Sequence, residues 1–295
     1  MVNDGQVRFE EIVTHEDRVA AAALYADIWG LPVSESPVPA DLMVSITHAG
    51  GCVLGAWSPS GELVGSTVGF TGGPGSDSLF SYIAGVAASA AGQGLGRQLK
   101  LAQRAWALER GVTSMVWTYD PLIRRNAHFN LDRLGGQVVD FRTDYYPPMH
   151  DAVNRGDLTD RFVVRWDLSA EPGGRDVPAN AAPANAVAPP VALADGPDGP
   201  RHIPLRDVPL SDMTNAAGSP PAVVLAAIPA DIEGLRRADP ALGMRWRLAA
   251  RAAFTELFAA GLRPVGVNDT GHYVFTPRGS SPQIDTQTEP QEDPS

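Results

Sequence analysis

The sequence predicts an α+β protein: a mixed central sheet flanked by helices, followed by a small C-terminal βαβ-like unit. Three observations carry this reading. Residues 7–168 alternate strand-like and helix-like segments with short breaks. From 169 to 221 the chain is dominated by Ala, Pro, Gly and Asp with hardly an aromatic, which reads as a flexible linker unable to repay its ordering entropy. From 222 to 276 a strand, helical sequence and a second strand return, and 277–295 is a polar acidic tail expected to be disordered. That unit is too small for a core of its own, so it is expected to dock on the first domain or on a second subunit, which leaves a homodimer open.

Within the first domain the elements follow in order. Residues 7–13 read as a strand, and 15–29 as a helix in which Val19, Ala22, Ala23, Ala26 and Trp29 recur at helical spacing. A helix over 40–47 follows. Residues 52–57 and 63–70 form a hairpin around Ser58-Pro59-Ser60-Gly61, and 79–86 a third β-rich run after a glycine-rich turn. The next helix carries Leu95, Leu99, Ala102 and Trp106 on one stripe and stops at Gly111. A strand over 113–119 leads to Asp120-Pro121, read as N-cap and first turn of a helix closed by Gly135-Gly136. Strands over 138–142 and 162–167 flank a long loop. In the C-terminal unit, residues 222–228 read as a strand, 230–260 as helical sequence restarted by Asp239-Pro240, and 264–275 as a strand.

Composition bounds the partners. The 34 Asp and Glu against 23 Lys and Arg give a net charge of -11, which repels phosphate backbones and anionic lipid, so neither nucleic acid nor a membrane surface is an expected partner. The single cysteine, Cys52, forms no intramolecular disulfide, no uncharged run is long enough to span a bilayer, and residues 1–11 lack the apolar core of a signal peptide. Cytoplasm is therefore the expected location.

Chemistry concentrates in Ala91-Gly92-Gln93-Gly94-Leu95-Gly96-Arg97, between a strand and a helix. Alternating glycines let successive backbone N–H groups converge on one point, an anion nest. The helix has no Ser, Thr, Asp or Asn at an N-cap position, so its first amides need a partner from elsewhere. Arg97, Lys100 and Arg104 follow at spacings of three and four, against the helix dipole unless an anion reverses the sign. Lys100 is the only lysine of the chain. A Walker A loop would end in Gly-Lys-Ser/Thr, and here Gly96 precedes Arg97-Gln98. A dinucleotide fingerprint would place a glycine where Leu99 stands.

With these features the sequence resembles the GNAT N-acetyltransferases, whose signature Gln/Arg-x-x-Gly-x-Gly/Ala grips the pyrophosphate of acetyl-CoA. Gly94 and Gly96 match, and Ala91 stands where Gln or Arg is usual. The likeness follows segment order over 7–168. It extends to a branch of bacterial GNAT proteins through Val116-Trp117-Thr118-Tyr119-Asp120-Pro121-Leu122, Arg125-Asn126-Ala127-His128-Phe129-Asn130-Leu131 and Thr159-Asp160-Arg161-Phe162, and beyond the domain through Ile228-Pro229-Ala230-Asp231-Ile232 and Trp246-Arg247. The resemblance implies a GNAT-type sheet that splays open, acetyl-CoA as cosubstrate and no metal. Ala84, Gly85 and Val86 would pair with the pantetheine arm. Gly92, Gln93, Gly94, Leu95, Gly96 and Arg97, with Lys100, would hold the pyrophosphate, and Asn126 or Asn130 would reach the cofactor's amides.

The implied activity is transfer of an acetyl group to an amine of a small molecule or peptide, directly within a ternary complex. The tyrosine that commonly protonates the leaving thiolate falls on Leu131, which belongs to an apolar stripe with Ile123, Ala127 and Leu134. Tyr82, Tyr119 or a tyrosine of the 144–146 loop is left as acid, and Asp120, His128 and His150 as bases. Tyr145 and Tyr146 are expected in a lid over the acceptor, or in a packed surface loop. Arg247 is a candidate for an acceptor carboxylate or the cofactor's 3′-phosphate, unless it belongs to a solvated face. An acyl-CoA-binding module without turnover is the alternative, and a nicotinamide-binding protein a third reading.

Overall fold

The computed structural model describes residues 6–73, 75–154, 156–171, 173, 189–207 and 223–278. The acidic tail from 279 onward, and the linker reading at 172, 174–188 and 208–222, lie outside the described residues.

Local sequence sets the first elements. Thr14 caps the first helix, α1 (His15–Trp29), by accepting from the Asp17 amide, and Gly30 ends it at φ 63°. Strands β1 (Arg8–Glu11), β2 (Cys52–Trp57), β3 (Leu63–Thr71) and β4 (Ser78–Val86) form an antiparallel meander, with α2 (Ala40–His48) inserted after α1. The chain then crosses through α3 (Leu95–Glu109) to β5 (Ser114–Tyr119), which pairs parallel to β4. After α4 (Arg124–Ala127) come β6 (Gln137–Arg142) and β7 (Arg161–Asp167), and the seven-stranded order is β1-β2-β3-β4-β5-β7-β6. On one face, Tyr25 of α1 and Met43 of α2 pack on Val53 and Val68. On the other, Leu95 and Leu99 of α3 pack on Ala56 and Val64.

Several sequence expectations differ from the structure. Asp120 does not cap a helix: its Oδ1 accepts from Leu122 N at 2.9 Å to turn the chain, and α4 starts only at Arg124. The remainder of that helix, His128–Arg133, is π-helical. Part of the expected linker is ordered, since β8 (Val191–Gly196) and β9 (Gly199–His202) form a hairpin. Alternating Val191, Leu193 and the glycines around Asp198 supply that pattern, and Ala192 and Leu193 are fully buried.

The C-terminal unit is accordingly more than a βαβ. Strand β10 (Val224–Ala227), helices α5 (Ile232–Ala238) and α6 (Pro240–Ala259), and the hairpin β11 (Leu262–Val267) and β12 (His272–Pro277) complete a sheet of order β11-β12-β10-β8-β9. The single strand expected over 264–275 is thus the turn and both arms of a hairpin. Asp231 and Asp239 cap the two helices, and Pro240 occupies the first turn of α6.

The two units share one hydrophobic core. Phe162 of β7 meets Phe254 of α6 and Tyr273 of β12 with ring centroids 5.0 and 5.5 Å apart. Across the same face runs a buried ion network. Asp120 Oδ2 lies 2.8 Å from both Arg236 and Arg247, and Asp157 Oδ2 3.0 Å from Arg247. Arg247 is 1 % exposed. Burial pushes the Asp120 carboxyl up, but Arg247, Arg236 and Arg161 outweigh it and hold the group well below the usual carboxylate range.

Truncating Asp120 leaves two buried guanidiniums sharing the single carboxylate of Asp157, so Asp120→Ala is expected to lower unfolding stability by about 3 kcal/mol in denaturant titrations at pH 7. Because the folded-state pKa is depressed, the wild-type contribution is present above about pH 4 and is lost as pH falls. Asp120→Ala is therefore expected to show a flatter acid limb, and an unchanged limb would remove Asp120 from this role.

Candidate functional site: the loop before α3 and the opening between β4 and β5

Past Val86 the chain makes a 3-10 turn, Ala88–Ala90, and then two left-handed residues, Gly92 at φ 76° and Gly94 at φ 77°, which only glycine adopts without strain. Gly94 is the N-cap of α3 and offers no side chain. Among the described residues, none of the five successive amides from Gly92 to Gly96 has a hydrogen-bond partner; the first amides satisfied are those of Arg97 and Gln98, on Gly94 O. Five unpartnered donors at the positive end of a fifteen-residue helix can receive an anion.

Gly96 adds an independent signal. Its φ is not left-handed, and a Cβ there would meet nothing closer than Phe129, at 3.9 Å. Neither backbone strain nor packing demands glycine at this place, where it costs about 0.5–1 kcal/mol relative to alanine. Glycine at such a place leaves room for a group from outside the chain to approach the backbone.

The flanking cations do not gather as the spacing suggests. Arg97 is half-buried beside the loop and has no ion-pair partner among the described residues. Arg104 turns away to the Ala170 carbonyl, 3.1 Å from its Nη2. Lys100 points inward, 5 % exposed, with Nζ 2.6 Å from Ser81 Oγ, so it is withdrawn from the phosphate loop. It lies in the buried arc of α3 with Leu99 and Gln103, an arc that the apolar stripe at 95, 99, 102 and 106 did not reveal. Gln93 reaches back to the Ser89 carbonyl at 3.4 Å.

Beside the loop the sheet is open. β4 and β5 pair only over Ser78–Ser114, Leu79–Met115 and Phe80–Val116. Beyond Phe80 a bulge leaves Tyr82 without a partner on β3, and the edge of β4 through Ala84, Gly85 and Val86 has no β5 strand beside it. Ala84 is exposed there. Gly85 has a packing reason as well, because a Cβ would come within 2.6 Å of Ile28 on α1. Opposite, the π-helical segment brings Phe129 toward Gly96, so the opening runs between α3 and this segment. Asn126 is half-buried and makes no side-chain hydrogen bond among the described residues. Asn130 is buried, with Oδ1 accepting from Trp117 Nε1 at 3.0 Å, and is thereby committed to the core.

The aromatic candidates divide between the two faces. Tyr119 is buried, its hydroxyl 3.2 Å from that of Tyr273, and burial pushes its phenol far above the usual range. Asp120 and Arg247 are consumed by each other. None of these three reaches a cofactor or acceptor, and the reason in each case is the docked C-terminal unit. Tyr82 is 40 % exposed on β4, its phenol raised by partial burial and by Tyr146. The Tyr146 hydroxyl is 3.0 Å from Thr118 Oγ1 on β5, and Tyr145 stacks edge-on to Tyr146 at 4.7 Å. Tyr82 thus stands on β4, and Tyr146, from the loop after β6, is tied to β5 through Thr118.

The loop bearing Tyr145 and Tyr146 is a packed strap. Tyr146 N donates to Thr159 Oγ1 at 3.0 Å, and Ala152 N to Trp29 O at 2.9 Å. Asp144, at φ 49°, donates its amide to Asp160 Oδ1, and Arg251 of α6 pairs with both Asp144 and Asp160. His128 pairs with Asp132 at 2.6 Å, away from the strap, and His150 lies near Gly156 within it. Sequence reasoning missed the pairing of Asp120, Asp157 and Asp160 with the arginines of α5 and α6, since the partners lie about ninety or more residues apart. Among the described residues, no three His, Cys, Asp or Glu side chains are grouped to hold a metal ion, and no helix is long and apolar enough to cross a membrane.

No protein-family model matches the chain, and no curated protein matches it. Among solved structures it is similar to the ribosomal-protein-S18-alanine N-acetyltransferase of Escherichia coli, at 16 % identity over 58 % of this chain and 99 % of that one, with a TM-score of 0.44. It is likewise similar to the Salmonella typhimurium protein solved with its cofactor acetyl-CoA, at 15 % identity over 59 % and 100 %, TM-score 0.46. An acetyltransferase of the GNAT family from Streptococcus pneumoniae matches at 12 % identity over 54 % and 98 %, TM-score 0.45. Each of these matches covers a little more than half of this chain and nearly the whole of the other.

Proposed function

We propose that this protein is an N-acyltransferase that moves an acetyl group from acetyl-CoA to an amine of a small molecule or peptide within a ternary complex. One observation carries the reading: five unpartnered amides, Gly92 to Gly96, stand at the end of β4 where its far edge is left free by the divergence from β5. A diphosphate satisfies the amides, and an extended amide-bearing arm satisfies the strand edge, so one ligand containing both fits the two vacancies in series. Coenzyme A has that order of groups.

The bound thioester supplies an acyl carbon with a good leaving group. The chain supplies the rest. Gly92 to Gly96 anchor the phosphates, Arg97 adds charge, the β4 edge orients the arm, and Asn126 is free to meet it. Tyr82, Tyr146 and Thr118 line the side from which an acceptor amine enters. Such an amine is protonated at neutral pH and must lose its proton before attack, and positioning against the acyl carbon then provides much of the acceleration. The second reading, an acyl-CoA-binding module without turnover, is favoured by Leu131, which is 2 % exposed in the core where the family's tyrosine would stand. Thiol release from acetyl-CoA across an amine panel, with coenzyme A binding measured in parallel, separates the two: tight binding without acceptor-dependent thiol selects the module.

The Gly96 argument gives opposed expectations for one substitution. Gly96→Ala should raise unfolding stability by about 0.5–1 kcal/mol while weakening coenzyme A by about tenfold or more in calorimetry. Gly96→Asp should abolish binding with the fold intact. Unchanged affinity in both variants would remove the loop from the cofactor site.

Arg251 holds the strap through Asp144 and Asp160. Arg251→Ala should therefore raise KM for the amine while coenzyme A affinity stays unchanged, with Arg251→Lys restoring part of the loss. An equal loss of coenzyme A binding would contradict the division of the site into two faces.

A further inference from the structure

The apex of the opening is occupied by an amine. Phe80 and Val116 are the last paired residues of β4 and β5, and Ser81 and Trp117 are the first beyond them. Lys100 Nζ touches both: it lies 2.6 Å from Ser81 Oγ and 4.3 Å from the centroid of the Trp117 ring. Its other neighbours are Gln103 Oε1 at 3.4 Å, on α3 itself, and Met115 Sδ at 3.8 Å, on β5. From β2 the titratable group facing it is the buried Cys52 thiol, which burial pushes up to about 12. Among the described residues no carboxylate pairs with Lys100. Burial accordingly brings its ammonium down to about 7. A buried ammonium held by two neutral oxygens and a ring face is costlier than an apolar side chain in the same place. The only lysine of the chain is spent there, next to the Gln103 Nε2 that has no partner of its own.

We propose that Lys100 is a catalytic acid that protonates the sulfur leaving the thioester held between β4 and β5. The proposal rests on the acyltransferase reading above. In the step, the acceptor nitrogen forms a bond to the acyl carbon, and the carbon–sulfur bond breaks with its electron pair on sulfur. A proton passes from Lys100 Nζ to that sulfur. The surplus proton of the acceptor nitrogen goes to water, and water returns one to Lys100 after product release. The other candidate acids are elsewhere: Leu131 replaces one, Tyr119 is bonded to Tyr273, and Tyr82 and Tyr146 lie on the acceptor side.

Because the chain has one lysine, isotope-labelled lysine gives a single side-chain resonance. Its titration should have a midpoint near pH 7 and should move on addition of coenzyme A. Desulfo-coenzyme A, which lacks only the thiol, should bind comparably and leave the midpoint in place. Lys100→Met should keep coenzyme A binding and lose acceptor-dependent thiol release by about a hundredfold or more. Its stability should behave oppositely. Between pH 7 and about 10 the unfolded chain carries one more proton than the folded one, so wild-type stability rises with pH in that window. In Lys100→Met that rise should vanish, with stability at pH 7 equal to or above wild type. Identical responses to coenzyme A and desulfo-coenzyme A, with both bound, would overturn the proposal and leave the cofactor site standing. Failure of either ligand to bind would overturn the cofactor reading and this proposal together.

Discussion

The architecture depends on a parallel pairing that lasts three residues. Parallel strands cannot be joined by a tight turn, so β4 and β5 require a crossover, and the crossover is α3. This forces the start of α3 to stand at the end of β4, beside the place where the two strands part. Ligands of open α/β sheets bind at such points, outside the strand ends, because helix amides and free strand edges converge there. The bulge at Tyr82 keeps the edge of β4 from returning to regular pairing, and Trp117, fixed by Asn130, keeps β5 on its own course.

The C-terminal unit defines what the site does not contain. By docking on the end of β5, it makes Asp120 and Tyr119 interior residues. Its hold is partly apolar, through Phe162, Phe254 and Tyr273, and partly ionic, through two aspartates and two arginines. Buried ion pairs add little net stability over apolar replacements, but they tolerate few misalignments. The same face that fixes the unit also fixes the strap, since Asp157 and Asp160 lie in the segment that returns from Tyr146 to β7.

Elements with strong local signals were legible in the sequence. Thr14 and Gly30 bracket α1, and the glycine-rich turn marks the start of α3. The hairpin of β8 and β9 was not, because its short alternation is swamped by the Ala, Pro and Gly around it. Asp120-Pro121 has the local chemistry of a cap, yet its carboxylate is claimed by Arg236 and Arg247 more than a hundred residues later. Local patterns cannot encode that distance. Of the candidate site, the uncapped, glycine-rich start of α3 could be read from the chain. The direction of Lys100 could not, since a residue on the flank of a buried arc can face water or the sheet, and only the gap between β4 and β5 makes room for it.

One lysine in 295 residues, sealed beneath the sheet, leaves the chain's surface cations to arginine. Guanidinium groups remain protonated near neutrality and are poor nucleophiles, whereas free ε-amines capture activated acyl groups. A surface built this way presents no ε-amine to activated acyl groups in the surrounding solution.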